Sequence, residues 1–100
     1  MTDKSLSKAA VKYLKGISHG LKPYVTIADK GITENIITEL ETTLDHHELV
    51  KVKIRADREQ RTKLIDEVIK TTQASEIQRI GQTLTIYRPN PKNPVYELPK

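Results

Sequence analysis

The stretch ELVKVKIRA, Glu48 to Ala56, decides how the chain is read. In an extended chain successive side chains point to opposite faces, so Val50, Val52 and Ile54 share one side and Lys51, Lys53 and Arg55 the other. This is a strand with one apolar face and one wet, cationic face.

On both sides the apolar period changes to that of a helix. Upstream, Thr33 is placed as an N-cap with Glu34 in the first turn, and Ile36, Ile37, Leu40 and Leu44 form a stripe. His46 and His47 close that helix, where a ring N–H or a positive charge suits the last carbonyls. Downstream, Asp57-Arg58-Glu59-Gln60 has the form of a capping box and opens a helix whose stripe is Leu64, Ile65, Val68 and Ile69.

Further out, Ser5 to Ile17 sets Leu6, Ala10, Tyr13, Leu14 and Ile17 on one helical face and Lys8, Lys12 and Lys15 on another. Gly16, Gly20 and Pro23 end this helix, and Tyr24 to Ala28 alternates as a short half-buried strand. At the other end, Glu76 to Ile80 and Thr83 to Arg88 flank Gly81-Gln82, and glycine at the first central position predicts a type II′ hairpin. Pro89, Pro91, Pro94 and Pro99 mark an extended tail that cannot continue a sheet.

The order α-β-α-β-α-β-β predicts a compact two-layer α/β domain over residues 1–90, followed by a Pro-rich extended tail over 91–100. Two strand-helix-strand crossovers and one hairpin predict a mixed four-stranded sheet with three helices. With only three helices, one sheet face can stay open to solvent, and Lys51, Lys53 and Arg55 would make it positive.

The chain has 100 residues, 17 Lys and Arg against 13 Asp and Glu, four Tyr, and neither Phe, Trp nor Cys. One aliphatic core follows, with no aromatic cofactor box, no thiolate chemistry and no cysteine-based zinc site. No apolar run reaches membrane-span length and no signal-peptide block opens the chain, so a cytoplasmic location is expected, with no membrane partner. Charge is segregated by element. Residues 1–31 carry six Lys and two Asp, 32–48 five acids and no Lys or Arg, and 49–63 six bases and two acids.

The tight connection Ala28-Asp29-Lys30-Gly31 joins strand to helix. Gly31 permits a positive φ, the first amides of the next helix face outward, and Lys30 adds a charge beside the helix dipole. Such a loop can hold a phosphodiester without reading its base. A turn glycine and a solvated lysine are the plain alternative. Clustering with the other cations favours the anion site.

Catalysis is disfavoured. His19, His46 and His47 do not form HExxH, adjacent helical histidines point about 100° apart, and no GxSxG or P-loop is present. No cofactor and no metal is expected. An RRM would need exposed aromatics that the chain lacks, although Tyr24 and Tyr87 could stack on bases or pack at the sheet margin. No helix-turn-helix pattern supports duplex DNA binding.

Three separated blocks, LKGISHGLKPYVTIADKGITENI, LDHHELVKVKI and IGQTLTIYRP, resemble the CRM domain family, named for chloroplast RNA splicing and ribosome maturation, and within it the stand-alone bacterial members of the YhbY type. The similarity runs from about residue 5 to 90. It implies a fold similar to the C-terminal domain of bacterial translation initiation factor three. It also implies RNA binding, with large-subunit ribosomal RNA in assembling particles as partner, alongside ribosomal proteins or the pre-ribosomal particle. A monomer is the separate expectation for the chain. The family loop is usually GxxG, whereas Ala28 replaces the first glycine here. Lys30 and Gly31 carry over as binding residues, and the family's basic surface maps onto Lys12, Lys15, Lys22, Lys51 and Lys53. Charge and expected exposure add Arg55, Arg58, Arg79, Arg88 and Lys92. The alternative is a protein-interaction module in which Glu34, Glu39, Glu41 and Asp45 dock a basic partner.

Overall fold

The computed structural model describes residues 6–28, 31–90, 92, 95, 96 and 98. Seven elements follow in the expected order: α1 (Lys8–Ser18), β1 (Val25–Ile27), α2 (Glu34–His47), β2 (Leu49–Ile54), α3 (Arg58–Thr72), β3 (Ser75–Ile80) and β4 (Thr83–Tyr87).

Each helix starts at a side-chain cap. The Ser7 hydroxyl accepts from the Ala10 amide at 3.0 Å, Thr33 from Ile36 at 3.2 Å and Asp57 from Gln60 at 2.8 Å. These bonds satisfy donors that the helix itself leaves unpaired. The hairpin turns at Gly81, whose φ is +55°, while Gln82 stays at negative φ, as a II′ turn requires.

The sheet runs β1-β2-β4-β3, with β1 parallel to β2 and both other pairs antiparallel. The first crossover joins neighbours. The second does not, because β4 folds back from the hairpin and inserts between β2 and β3.

Two hydrophobic clusters lie on opposite faces of the sheet. Val25, Ile27, Val50, Val52, Ile54, Leu84 and Ile86 meet Leu40 and Leu44 of α2 and Leu64, Ile65 and Val68 of α3. On the other face Leu49, Ile77 and Tyr87 receive Leu14 of α1, with Ile17, Leu21, Tyr96 and Leu98 packed around them. The helices thus divide between the faces, where two layers were expected. The reason is local: Leu49 and Tyr87 face each other across β2 and β4 on the side of Lys51, and their apolar surface is what α1 covers.

Glu48 stands at the junction of α2 and β2, outside the strand that its alternation suggested. It caps α2 at φ +61° and is only 1% exposed. Its carboxylate accepts from the amides of Asn90 at 2.5 Å, Val95 at 2.9 Å and Tyr96 at 3.1 Å. Those bonds hold the segment after β4 against the core that α1 closes.

Candidate nucleic-acid interface

Register defines the face that α1 only partly covers. Thr26, Lys53, Thr83 and Ile80 form one row across all four strands, and Lys51, Thr85 and Gln78 form the next. Leu49 and Tyr87 begin the row beneath, where α1 packs. The sheet's upper half is therefore polar and only partly covered, with Thr85 buried at its floor and Ile80 standing out of it.

Lys51 is not a free cation. Its Nζ donates to the carbonyl oxygens of Ser18 at 2.8 Å and Leu21 at 3.2 Å. It caps the C-terminal end of α1, where a positive charge is favourable, and pins that end to the sheet. The strand alternation gave its direction correctly, but only the docked helix reveals its partners.

Lys53, one row further along, is half-buried, and its ammonium group has no partner among the described residues. The ammonium groups of Lys12, Lys15 and Lys22 are likewise unpaired there. Helical spacing puts Lys12 and Lys15 on the same flank of α1 as His19, and His19 lines the cleft above Lys51 and Gln78. Lys22 follows Leu21, whose carbonyl Lys51 holds.

A second group lies at the β1–α2 loop. Gly31 adopts φ +73°, and its amide donates to the Ala28 carbonyl at 2.8 Å. Arg55 lines a cleft with Ala28, Asp57, Gln60 and Leu64, and Arg58 is exposed in the first turn of α3. Ala28 is not at positive φ, so alanine fits the backbone found at the position where the family usually has glycine. Lys30 and Asp29 lie outside the described residues.

The remaining expected cations sit elsewhere. Arg79 shares its row with Leu84 and Val52, on the face of α2 and α3, and its Nε meets Glu76 at 2.6 Å. The Arg79 bond is the main cause holding the Glu76 carboxyl below its ordinary range. Arg88 is spent on structure: Nη1 meets Glu41 at 2.9 Å and the Thr72 carbonyl at 2.9 Å, and Nη2 meets Asp45 at 3.0 Å. Neither arginine joins the basic side. Lys92 is exposed beyond β4, on the segment that Glu48 tethers.

The acids of α2 lie behind the sheet, where Arg88 neutralises two of the four. Glu34 and Glu39 are exposed without an ion pair among the described residues. His46 Nδ1 lies 2.8 Å from the Thr42 carbonyl and closes the last turn, and His47 stacks on Tyr24 with ring centroids 4.5 Å apart and planes 13° from parallel. Tyr87 is buried, leaving Tyr24 as the exposed member of the pair considered for stacking. Among the described residues no group of three or more His, Cys, Asp or Glu could hold a metal, and no helix is long and apolar enough to cross a membrane.

Sequence reasoning missed His19, Gln78, Ile80, Thr83 and Thr85, which line the uncovered half of the sheet with Lys51. The alternation Thr83-Leu84-Thr85-Ile86 was available as a signal. What it lacked was the strand order that brings those threonines beside Lys51 and Lys53.

The geometry is that of a small α/β domain with α1 on one face of the sheet and the acidic α2 on the other. The chain belongs to the CRS1 / YhbY (CRM) domain family, whose model matches residues 6–88. A Haemophilus influenzae protein named an RNA-binding protein is 41% identical over 87 residues, covering 86% of this chain and 88% of that one. A Pseudomonas aeruginosa relative, named a probable RNA-binding protein, is 40% identical over 89 residues, covering 88% and 86%. The solution structure of a Staphylococcus aureus protein superposes with a TM-score of 0.79 at 30% identity, covering 95% of this chain and all of that one. These relatives are named for RNA binding, not for an enzymatic activity.

Proposed function

We propose that this protein binds RNA through the side formed by α1, the uncovered half of the sheet and the β1–α2 loop. The RNA is that of large-subunit precursors, whose assembly the protein assists as a cytoplasmic monomer. One observation carries the reading: Lys12, Lys15, Lys22 and Lys53, on α1, the segment after it and the sheet face that α1 packs on, have no carboxylate partner among the described residues, while α2 with its acids packs on the opposite face. The names of the relatives support it.

Affinity comes from phosphate contacts, and the shape of the folded RNA gives selectivity. About four contacts to single-stranded RNA imply a salt slope near −2.8, so raising salt from about 50 to 200 mM should cost on the order of 50-fold in affinity. A flat salt dependence would refute a phosphate-reading surface. In-cell crosslinking followed by sequencing tests the ribosomal part, with enrichment of large-subunit RNA expected; recovery of unrelated transcripts in proportion to abundance would replace it with general RNA binding.

A further inference from the structure

The uncovered half of the sheet holds a cleft of about 140 Å³, lined by His19, Lys51, Gln78, Ile80, Thr83 and Thr85. Thr85 is 2% exposed, yet its hydroxyl makes no hydrogen bond among the described residues. Buried polar groups are nearly always satisfied, and an unmade bond costs about 1–3 kcal/mol. A group entering the cleft can supply the missing partner.

The surroundings narrow its chemistry. Gln78 pairs with Thr85 across β3 and β4, and its unbonded amide offers both a donor and an acceptor. Lys51 pairs with Thr85 on the other side, and two of its three protons are on Ser18 and Leu21, leaving one directed elsewhere. Ile80, 61% exposed, gives an apolar rim in the same row as Thr83 and Lys53. A bare phosphate gains nothing from Ile80, and a purely apolar ligand leaves Thr85 and Gln78 unsatisfied. A flat heterocycle with a mixed donor and acceptor edge answers both.

We infer that this cleft takes one unstacked nucleobase of the bound strand, a pyrimidine, with a ring carbonyl toward Lys51, its edge on Thr85 and Gln78, and its phosphate at Lys53. The small volume favours a pyrimidine over a purine. Because Lys51 can only donate, it also favours a carbonyl-bearing ring over adenine. This inference rests on the RNA-binding reading, gives it a base-reading element, and is tested separately from it.

The test uses amide-resolved NMR on the full chain with uridine 5′-monophosphate and with ribose 5-phosphate. Uridine monophosphate should move the amides of Gln78, Ile80, Thr83 and Thr85, whereas ribose 5-phosphate should leave those of Gln78 and Thr85 in place. Thr85→Val, which keeps the shape, should abolish the base-dependent shifts. It should also weaken binding of a uridine-rich strand of about twelve nucleotides roughly fivefold to tenfold without altering its salt slope. Ile80→Lys, at an exposed rim where folding is not at stake, should likewise remove the base-dependent shifts. Cleft amides that respond equally to both probes, or to neither, would overturn the base site even if the strand binds with the expected salt dependence. If the strand fails to bind while uridine monophosphate still moves the cleft, the RNA reading falls and a mononucleotide site stands.

Discussion

Glu48 combines three features in one residue: near-complete burial, a positive φ that is unfavourable for a side chain, and a carboxylate meeting three backbone amides. Backbone strain of this kind persists only where the surroundings fix it. Glu48→Ala leaves those donors without their acceptor and should lower unfolding free energy by roughly 2–4 kcal/mol, read as a lower urea midpoint. Two tyrosines report on the same place. Burial, with a smaller contribution from Glu48, raises the Tyr87 phenol above its ordinary value; Tyr96 is raised by burial, then by Tyr24, Tyr13 and Glu48. A raised phenol value means that the folded chain favours the neutral form. Its contribution to stability is therefore complete below about pH 10 and disappears as pH rises through the folded values. Ultraviolet titration of the folded protein should show phenols ionising later than in the unfolded chain, and chemical denaturation should show stability falling over the same alkaline range.

At the scale of elements, Lys51 and Lys53 are two residues apart on one strand and do different work. Lys51 holds the carboxyl end of α1, so Lys51→Ala should destabilise the fold by about 1–3 kcal/mol. Lys53→Ala should leave the urea midpoint unchanged and reduce the RNA salt slope by about 0.7. Equal effects of the two variants on both measurements would contradict this division. The elements themselves were largely legible: Thr33 and Asp57 announce their helices, and Val50, Val52 and Ile54 announce β2, because these signals operate within a few residues. Partners across the chain were not. Nothing local to Arg88 shows that Glu41, Asp45 and the Thr72 carbonyl will surround it, and nothing local to Gly81 shows that β4 will enter between β2 and β3. For the same reason the direction of the basic strand face was readable, whereas Lys51's engagement and the pairing of Arg79 with Glu76 were not.

For the whole molecule, the separation of charge predicts how a polyanion approaches. Glu39 lies on α2, which packs on the sheet face opposite Lys53, so Glu39→Lys should leave RNA affinity unchanged or raise it at low salt. Measured loss of affinity, together with a basic protein that co-purifies after nuclease treatment, would instead make α2 the working surface. The pairing of Glu41 and Asp45 with Arg88 already reduces the negative field available to such a partner.

The tether at Glu48 also couples two openings that would otherwise be independent. The same residue donates its amide to Leu44 and receives the amides of Asn90, Val95 and Tyr96 on its side chain, so fraying of the last α2 turn and release of the chain's end share one hinge. Native-state hydrogen exchange should find those four protons leaving as a single cooperative unit, with one common opening free energy and one denaturant sensitivity.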